Sequence, residues 1–369
     1  PYLLWGALPM AFAGVLTWTV PDLGENGRLV WAYLTFSLMM LSYTVLSTPY
    51  SALSGVMTAD SRQRTTLISF RFIAAFAGTT LVNAFTLDLV QWFGRGDEAL
   101  GWQLTLALYG VVAVVLFATV FATTRERIAP PPQQRSDVKQ DFRDLLDNRP
   151  WLVLFTLALV IMITIVMRSG ATVYYLKYYV GQPELIGAFL GIYSVALAVG
   201  AALTPLMTRF VDKKHLMVFL MATVGVLSCA MYFVPRDMIW LMFVLNTLIG
   251  LALGPKSPLA FSMYADCADY TEWKTGRRAT ALTFSAATFS QKLGGALASA
   301  AIAWVLAGMG YVANQAQSNA SQTGILLLLT VIPGVVAFVA ALVMRACPLD
   351  DAALAGMQDT LAQRRAQEA

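Results

Sequence analysis

The chain has 369 residues, of which 58% are hydrophobic and 12% are charged, with a formal net charge of +4. Soluble domains carry about 25% charged residues, so this composition excludes an ordinary soluble protein and indicates a polytopic membrane protein. The three cysteines lie in separate segments and the single His215 lies beside two lysines, a pattern that predicts no disulfide framework, metal site or cofactor.

Apolar runs of roughly 20 residues predict ten membrane-spanning helices. The predicted spans cover residues 2–20, 29–56, 66–93, 101–123, 151–178, 185–208, 215–234, 238–263, 279–309 and 322–346. The one long polar connection, residues 124–150, contains three consecutive prolines, after which the pattern predicts a short amphipathic helix on the membrane face. The sequence therefore indicates an all-α membrane protein.

The polar connection separates four predicted spans from six. We expect an N-terminal bundle over residues 1–123, a cytoplasmic central loop over 124–150, a C-terminal bundle over 151–347 and a cytoplasmic tail over 348–369. Many transporters consist of two six-span halves, so four plus six predicts that two N-terminal spans are missing from the sequence before Pro1.

Lysines and arginines are concentrated in the loops at one side of the predicted spans, notably in residues 62–64, 125–149 and 274–278. Basic residues are enriched in cytoplasmic loops. This distribution predicts a bacterial inner-membrane protein with both visible termini in the cytoplasm.

The stretch from Ala265 to Lys292 begins with acidic residues, continues through a basic turn and enters an apolar run. Lys292 lies about 13 residues into this run, roughly 20 Å along a helix, and Thr288 precedes it by one turn. Ionisable residues inside membrane helices are expensive and usually functional. We therefore expect Thr288, Gln291 and Lys292 to bind a substrate, although a lysine paired structurally with an acid is the alternative.

Two arginines and a hydroxyl cluster also lie within predicted spans. Arg71 lies near the cytoplasmic end, where it could instead extend to the interface, and Arg168 is followed by tyrosines that are typical of an interfacial belt. The hydroxyl cluster consists of Tyr43, Ser47 and Ser51 near Pro49. Such hydroxyls either satisfy backbone carbonyls that a proline leaves free or contact sugar hydroxyls, so we expect all five residues to contribute to a substrate site.

Asp88 is the clear acidic residue within the predicted spans, and it lies near an outer end. The visible core is therefore net positive, which favours an anionic substrate. No nucleophile–base pair accompanies the single histidine, so we expect no enzymatic activity.

Several motifs resemble those of the glycoside–pentoside–hexuronide:cation symporters, a family of the major facilitator superfamily that includes melibiose permease. They are YTVLSTPYSAL, TADSRQRTTL, RFIAAFAG, DFRDLLDNRPW, VYYLKYYVG and, above all, ADCADYTEWKTGRR followed by SAATFSQKLGGAL. Together they extend over essentially the whole chain. The resemblance implies that Pro1 begins helix three and that the ten spans are helices three to twelve of twelve.

The resemblance also implies roles for individual residues. Arg71, Thr288 and Lys292 match family positions in the sugar site, whereas Ser47 and Ser51 stand where melibiose permease has an aspartate and a tryptophan. Six charged residues resemble an ion-pair network that closes the cytoplasmic side: Asp60, Arg62, Arg64, Asp266, Asp269 and Arg277. The family's cation site lies largely on helix two, so H+ and Na+ both stay open as coupling ions.

The resemblance and the charge pattern together predict cation-coupled sugar symport by alternating access, with an anionic sugar (a hexuronide, glucuronide or sulfonated sugar) favoured. A neutral pentoside or glycoside is the alternative substrate, and a lysolipid transporter of the same fold is the rival function. The expected partners are the sugar, the coupling cation and membrane lipid, without nucleic acid, and the expected state is a monomer.

Overall fold

The computed structural model describes residues 2–19, 21–128 and 138–368, and all the regular structure in these residues is helical. Fourteen α-helices follow one another in the described part. They are α1 (Tyr2–Thr17), α2 (Glu25–Val56), α3 (Ser61–Gly94), α4 (Glu98–Thr123), α5 (Val138–Leu146), α6 (Arg149–Tyr174), α7 (Ile186–Met207), α8 (Lys213–Met231), α9 (Ile239–Leu253), α10 (Lys256–Thr275), α11 (Thr280–Gly308), α12 (Asn319–Leu329), α13 (Val331–Arg345) and α14 (Asp351–Glu368).

Every predicted span coincides with one or two of these helices. In the described residues, eight helical segments are long and apolar enough to cross a membrane, and α1 is a shorter apolar helix. The prediction of ten spans with two further helices before them therefore stays a prediction. The predicted amphipathic helix after the prolines is α5, whereas the prolines themselves lie outside the described residues.

The chain divides into two compact units, which are Pro1–Thr58 with Ala77–Ala129 and Ala59–Phe76 with Pro130–Ala369. The first part of α3 thus groups with the second unit, whereas the sequence assigned all of residues 1–123 to the N-terminal bundle. In the first unit, α1 packs against α2 and α4.

The second unit is built around α6, which packs against α11 and α13, while α7 pairs with α9 and α8 with α13. Small residues permit the closest approaches. A Cβ added at Gly294 would lie 2.4 Å from the Leu159 carbonyl oxygen of α6, and one at Gly200 would lie 2.3 Å from the Leu251 carbonyl oxygen of α9. The helix pairs α6–α11 and α7–α9 therefore depend on glycine at these points.

The last predicted span is interrupted at Thr330, where α12 ends and α13 begins. Pro333 has no backbone N–H, so the carbonyl of Leu329 lacks the donor that a continuous helix would provide four residues later. Another donor has to satisfy this buried oxygen.

Candidate functional site

Three buried charged residues of the second unit form the centre of an ion-pair network. Arg64, in the first turn of α3, is completely buried and donates to Asp266 at 2.8 Å and to Asp269 at 3.0 Å on α10. The two carboxylates lie three residues apart on one face of α10, and the two Nη atoms of one guanidinium reach both. Buried charges are tolerated only when they are paired in this way.

Lys213 extends the network from the first turn of α8. Its ammonium donates to Asp266 at 2.6 Å, to the hydroxyl of Ser262 at 2.9 Å and to the hydroxyl of Ser61. Ser61 donates in turn to Asp266 at 2.7 Å. All three ammonium hydrogens of Lys213 thus have acceptors, and three helices meet at one carboxylate.

Arg278 closes the other end of the network. Its guanidinium pairs with Asp269 at 2.6 Å and with Glu272 at 2.5 Å. Burial alone would lower the pKa of Arg278, but the two carboxylates outweigh burial and raise its pKa above the ordinary value. Arg278 therefore stays charged.

The six residues predicted for this network occupy four different settings. Arg64, Asp266 and Asp269 are brought together, whereas Asp60 accepts hydrogen bonds from the backbone N–H groups of Arg62 and Gln63 at the start of α3. Arg62 is exposed and, in the described part of the chain, forms no ion pair.

Arg277 forms a second cluster, with Asp141 at 2.5 Å and Asp144 at 3.4 Å on α5. The six predicted residues did not include Lys213, Glu272 or Arg278, which belong to the main network. The spacing of Asp266, Asp269 and Glu272, which places three acids along one helix face, is the signal that could have indicated matching cations.

A cavity of about 270 Å³ borders the network. It is lined by Ser61, Thr65 and Lys213, and by Leu354 and Gln358 of α14. Leu354 and Leu361 are buried and lie on one side of α14. The tail helix therefore covers the network on this side, with space for water beneath it.

The three residues predicted on α11 lie on or beside one exposed surface of the second unit. Lys292 is exposed and Thr288 and Gln291 are half-buried. The Thr288 hydroxyl donates to the Phe284 carbonyl oxygen at 2.9 Å, and Gln291 shares a hydrogen bond with the hydroxyl of Tyr264. The hydroxyl oxygen of Thr288 still has capacity to accept a further hydrogen bond.

Arg71 joins this surface through aromatic rings. Its guanidinium lies over the ring of Phe261 with 5.2 Å from Cζ to the centroid. Phe261 in turn lies 5.6 Å from Tyr264 and 6.0 Å from Phe284, measured between ring centroids. Aromatic faces, a guanidinium and the polar residues of α11 are therefore contiguous within one unit.

Arg168 lies elsewhere, inside the second unit. It is 2% exposed and donates to the Leu329 carbonyl oxygen at 2.9 Å, the Asn246 side-chain oxygen at 3.2 Å and the Ser228 hydroxyl at 3.2 Å. The Leu329 oxygen is the one that Pro333 leaves without a helical donor. Arg168 therefore connects α6 with α8, α9 and the interrupted α12.

The tyrosines after Arg168 do not form a simple interfacial belt. Tyr175 is completely buried and stacks on Tyr179, with 5.2 Å between the ring centroids. The hydroxyls of Tyr178 and Tyr311 are 3.1 Å apart. Tyr175, Tyr178 and Tyr179 all lie in a π-helical turn over Tyr175–Val180, and Tyr175 is the buried member of the three.

Tyr43, Ser47 and Ser51 lie on α2 in the first unit. Tyr43 is exposed, Ser47 is half-buried and Ser51 is buried. Ser47 donates a long hydrogen bond of 3.5 Å to the Thr44 carbonyl oxygen, which is the local backbone bond expected of a hydroxyl in a membrane helix.

A family model described as "MFS/sugar transport protein" matches residues 1–351 of this chain. The "Inner membrane symporter YicJ" of Escherichia coli is 36% identical over 94% of this chain and 75% of its own length. The "Putative glycoside/cation symporter YagG" of the same organism is 33% identical over 99% and 80%. The "Isoprimeverose transporter" of Lactiplantibacillus pentosus is 33% identical over 86% and 67%.

Relatives with lower identity include the "Glucuronide carrier protein homolog" and the "Putative sulfoquinovose importer" of Escherichia coli, at 27% and 25%. Among solved structures, the transporter FucP in its outward conformation matches with a TM-score of 0.68 at 12% identity, over 94% of this chain and 82% of that chain. The proton:xylose symporter XylE matches with a TM-score of 0.60 at 15% identity, over 95% and 80%.

The all-helical fold and the family match define a membrane-spanning transporter of the major facilitator superfamily. Within that superfamily, the chain belongs to the glycoside–pentoside–hexuronide:cation symporters. The sequence motifs predicted this family, and the prediction is confirmed.

Proposed function

We propose that this protein couples the uptake of a sugar to the downhill movement of H+ or Na+ by alternating access, in an inner membrane and with both described ends of the chain in the cytoplasm. The observation that carries the sugar site is the polar surface of α11, where Lys292 is exposed and Thr288 is half-buried, together with the half-buried ring of Phe261 on α10 that lies against Arg71. Hydroxyl and ammonium groups bind sugar hydroxyls, and aromatic faces pack against the apolar face of a sugar ring.

The ion-pair network supplies the closing element of this proposal. Arg64 of α3 and Lys213 of α8 both bind Asp266 of α10, so the network holds the ends of three helices together in the state described here. In the transport cycle these pairs break and re-form. Coupling arises because cation and sugar stabilise the same state of the protein.

For the substrate, the observations favour a neutral glycoside or pentoside over the anionic sugar that the charge pattern favoured. Arg168 was one of the cations within the spans in that argument, but at least three of its hydrogen bonds go to groups of the protein. The relatives of higher identity are also named for a glycoside and for isoprimeverose, whereas those named for a glucuronide and for sulfoquinovose are less similar.

An acidic sugar is the second candidate, and Lys292 is the observation that favours it. Lys292 is exposed on α11, and the guanidinium of Arg71 lies against Phe261 on the neighbouring α10. Two cations near one surface would attract a carboxylate or sulfonate.

The test is uptake into proteoliposomes of matched neutral and acidic sugars, such as a xyloside, a glucoside and the corresponding glucuronide, with a Na+ or a proton gradient. A charged hydrogen bond contributes about 1.5–3 kcal/mol. The Lys292→Met variant should therefore raise the KM for the transported sugar roughly tenfold or more. The matched control Lys177→Met removes a lysine whose ammonium binds Asn314 and should leave KM unchanged.

Each half of the proposal can fail separately. Sugar uptake at a rate that is the same with and without the Na+ and proton gradients would contradict symport. Transport of glucuronide in preference to every neutral glycoside would reverse the substrate assignment without affecting the coupling mechanism.

A further inference from the structure

The nine-residue helix α5 has two faces with different chemistry. One face is docked on the second unit: Asp141 and Asp144 pair with Arg277, and Leu145 is 1% exposed. Gln140 donates to Asp144 at 2.7 Å on the same side. The acidic face of α5 is therefore already occupied by protein.

The opposite face is apolar and basic. Lys139, Phe142, Arg143 and Leu146 follow one another at intervals of three, one and three residues, which places them along one stripe of a helix. All four are exposed, and the exposed fractions of Phe142 and Leu146 are 53% and 47%. Two large apolar side chains thus alternate with two cations on the side of α5 opposite its contacts with Arg277.

We propose that this stripe of α5 binds the headgroups of anionic lipids, with Phe142 and Leu146 inserted at the boundary between headgroups and acyl chains. A helix that combines basic and large apolar side chains on its outer face is suited to a membrane surface rather than to water. The cations complement the negative potential of a cytoplasmic leaflet that contains acidic lipids.

The position of α5 along the chain places it close to the membrane surface, as lipid binding requires. Only two residues separate Leu146 from Arg149, the first residue of the membrane-spanning helix α6. A connection of this length extends at most about 10 Å. Because α6 enters the bilayer there, α5 cannot lie far from the membrane surface.

The same connection links the lipid contact to the ion-pair network. Asn148 donates to the Cys267 carbonyl oxygen at 2.9 Å and to the Thr271 hydroxyl at 2.7 Å, both on the helix that carries Asp266 and Asp269. Lipid that holds α5 against the membrane therefore also holds α10 in place. Acidic lipid should consequently favour the state in which the network is formed.

The contact can be measured without sugar or an ion gradient. An environment-sensitive fluorophore is attached to the thiol of the Phe142→Cys variant, in a full-length chain with serine at Cys229, Cys267 and Cys347. The protein is reconstituted in phosphatidylcholine vesicles with and without phosphatidylglycerol. We expect blue-shifted emission and stronger quenching by brominated acyl chains when phosphatidylglycerol is present.

Removal of the two cations supplies the specific comparison. Each basic residue near an acidic membrane surface changes its affinity about fivefold, so Lys139→Gln with Arg143→Gln should raise the phosphatidylglycerol content needed for the half-maximal shift by at least that factor. The matched control, Arg209→Gln with Arg345→Gln, removes two exposed cations after α7 and at the end of α13 and should leave the shift unchanged.

Two results would overturn the proposal. If the fluorophore stays in water in both lipid compositions, the stripe does not contact lipid. The exposed face of α5 would then be a candidate surface for a soluble protein partner. The α5 variant and the control could also need the same phosphatidylglycerol content for the half-maximal shift. That result would show that the shift depends on the total charge of the protein rather than on α5. Neither result depends on whether the protein transports sugar.

Discussion

Arg64 and Arg168 are both buried in the second unit, but their partners differ. Arg64 binds two carboxylates, whereas the described partners of Arg168 are neutral oxygens. Loss of Arg64 would leave the buried carboxylates of Asp266 and Asp269 with one cation each, whereas loss of Arg168 would leave unpaired carbonyl and hydroxyl groups. The first costs more than the second per partner.

Arg168 should be coupled energetically to Pro333. The Arg168→Met variant leaves the Leu329 carbonyl without a donor and should lower the free energy of unfolding by about 1–3 kcal/mol for each unsatisfied group. Pro333→Ala restores a backbone N–H near that carbonyl. The loss caused by Arg168→Met should therefore be smaller in a Pro333→Ala background, as measured by thermal unfolding of the four proteins in detergent. Additive effects in this double-mutant cycle would contradict the structural role assigned to Arg168.

Within the network, Asp266 should matter more than Glu272. Asp266→Asn removes the carboxylate shared by Arg64 and Lys213, so we expect a loss of about 3–5 kcal/mol of stability. In Glu272→Gln, Arg278 keeps its pair with Asp269, and the expected loss is about 1 kcal/mol. The midpoint of thermal unfolding would rank the two variants, and equal midpoints would count against the central position of Asp266.

At the scale of a single element, α11 separates packing from binding. Ser290 and Gly294 lie toward α6, where the Ser290 hydroxyl donates to the Phe155 carbonyl oxygen at 2.6 Å. Thr288 and Lys292 each precede one of these residues by two positions and therefore lie on nearly the opposite side, since two residues advance a helix by a little more than half a turn. One helix can therefore be fixed on one side while its other side stays available to a ligand.

Alanine at Gly294 should disrupt this packing, whereas alanine at Gly295 should not. The new Cβ at residue 294 would lie 2.4 Å from a backbone oxygen of α6, so the helices must separate, at a cost of about 1–3 kcal/mol. At residue 295 the nearest atom is a Val166 methyl at 3.6 Å, an ordinary contact. Thermal unfolding of the two variants, which differ by one position and carry the same substitution, would check the prediction.

The extent to which the sequence predicted these features depends on how local they are. The close contact of α6 at Gly294 is a feature that a sequence can indicate, because a small residue in an apolar helix lets another helix approach. Asp266 and Asp269 could be recognised as costly charges beside a span. The partners of Arg168 could not be predicted, because they lie 60, 78 and 161 residues away and no periodicity connects them. Lys213 was missed because only the folded chain brings α8 to α10.

For the whole molecule, Cys267 provides an internal measure of the network's state. Its side chain is completely buried in α10, between Asp266 and Ala268. A protein that keeps Cys267 as its only cysteine should react slowly with a membrane-permeant maleimide in the state described here. If the network opens during transport, sugar and coupling ion together should accelerate the labelling.

A variant with a weakened network shows how fast Cys267 can be labelled when the network is open. Asp269→Asn weakens the pairs with Arg64 and Arg278 and should raise the labelling rate without any substrate. Sugar and coupling ion could leave the labelling rate of the Cys267-only protein unchanged while Asp269→Asn raises it. That result would contradict the opening of this network in the transport cycle.

The main network contains three cations and three carboxylates: Arg64, Lys213 and Arg278 with Asp266, Asp269 and Glu272. These charges cancel, so a movement of the intact network as one body carries no net charge through the electric field of the membrane. When a pair breaks, its two charges separate, and the membrane potential acts on that step in proportion to their separation along the membrane normal. Voltage dependence of transport should therefore come from the coupling ion, from a charged sugar and from the opening of these pairs.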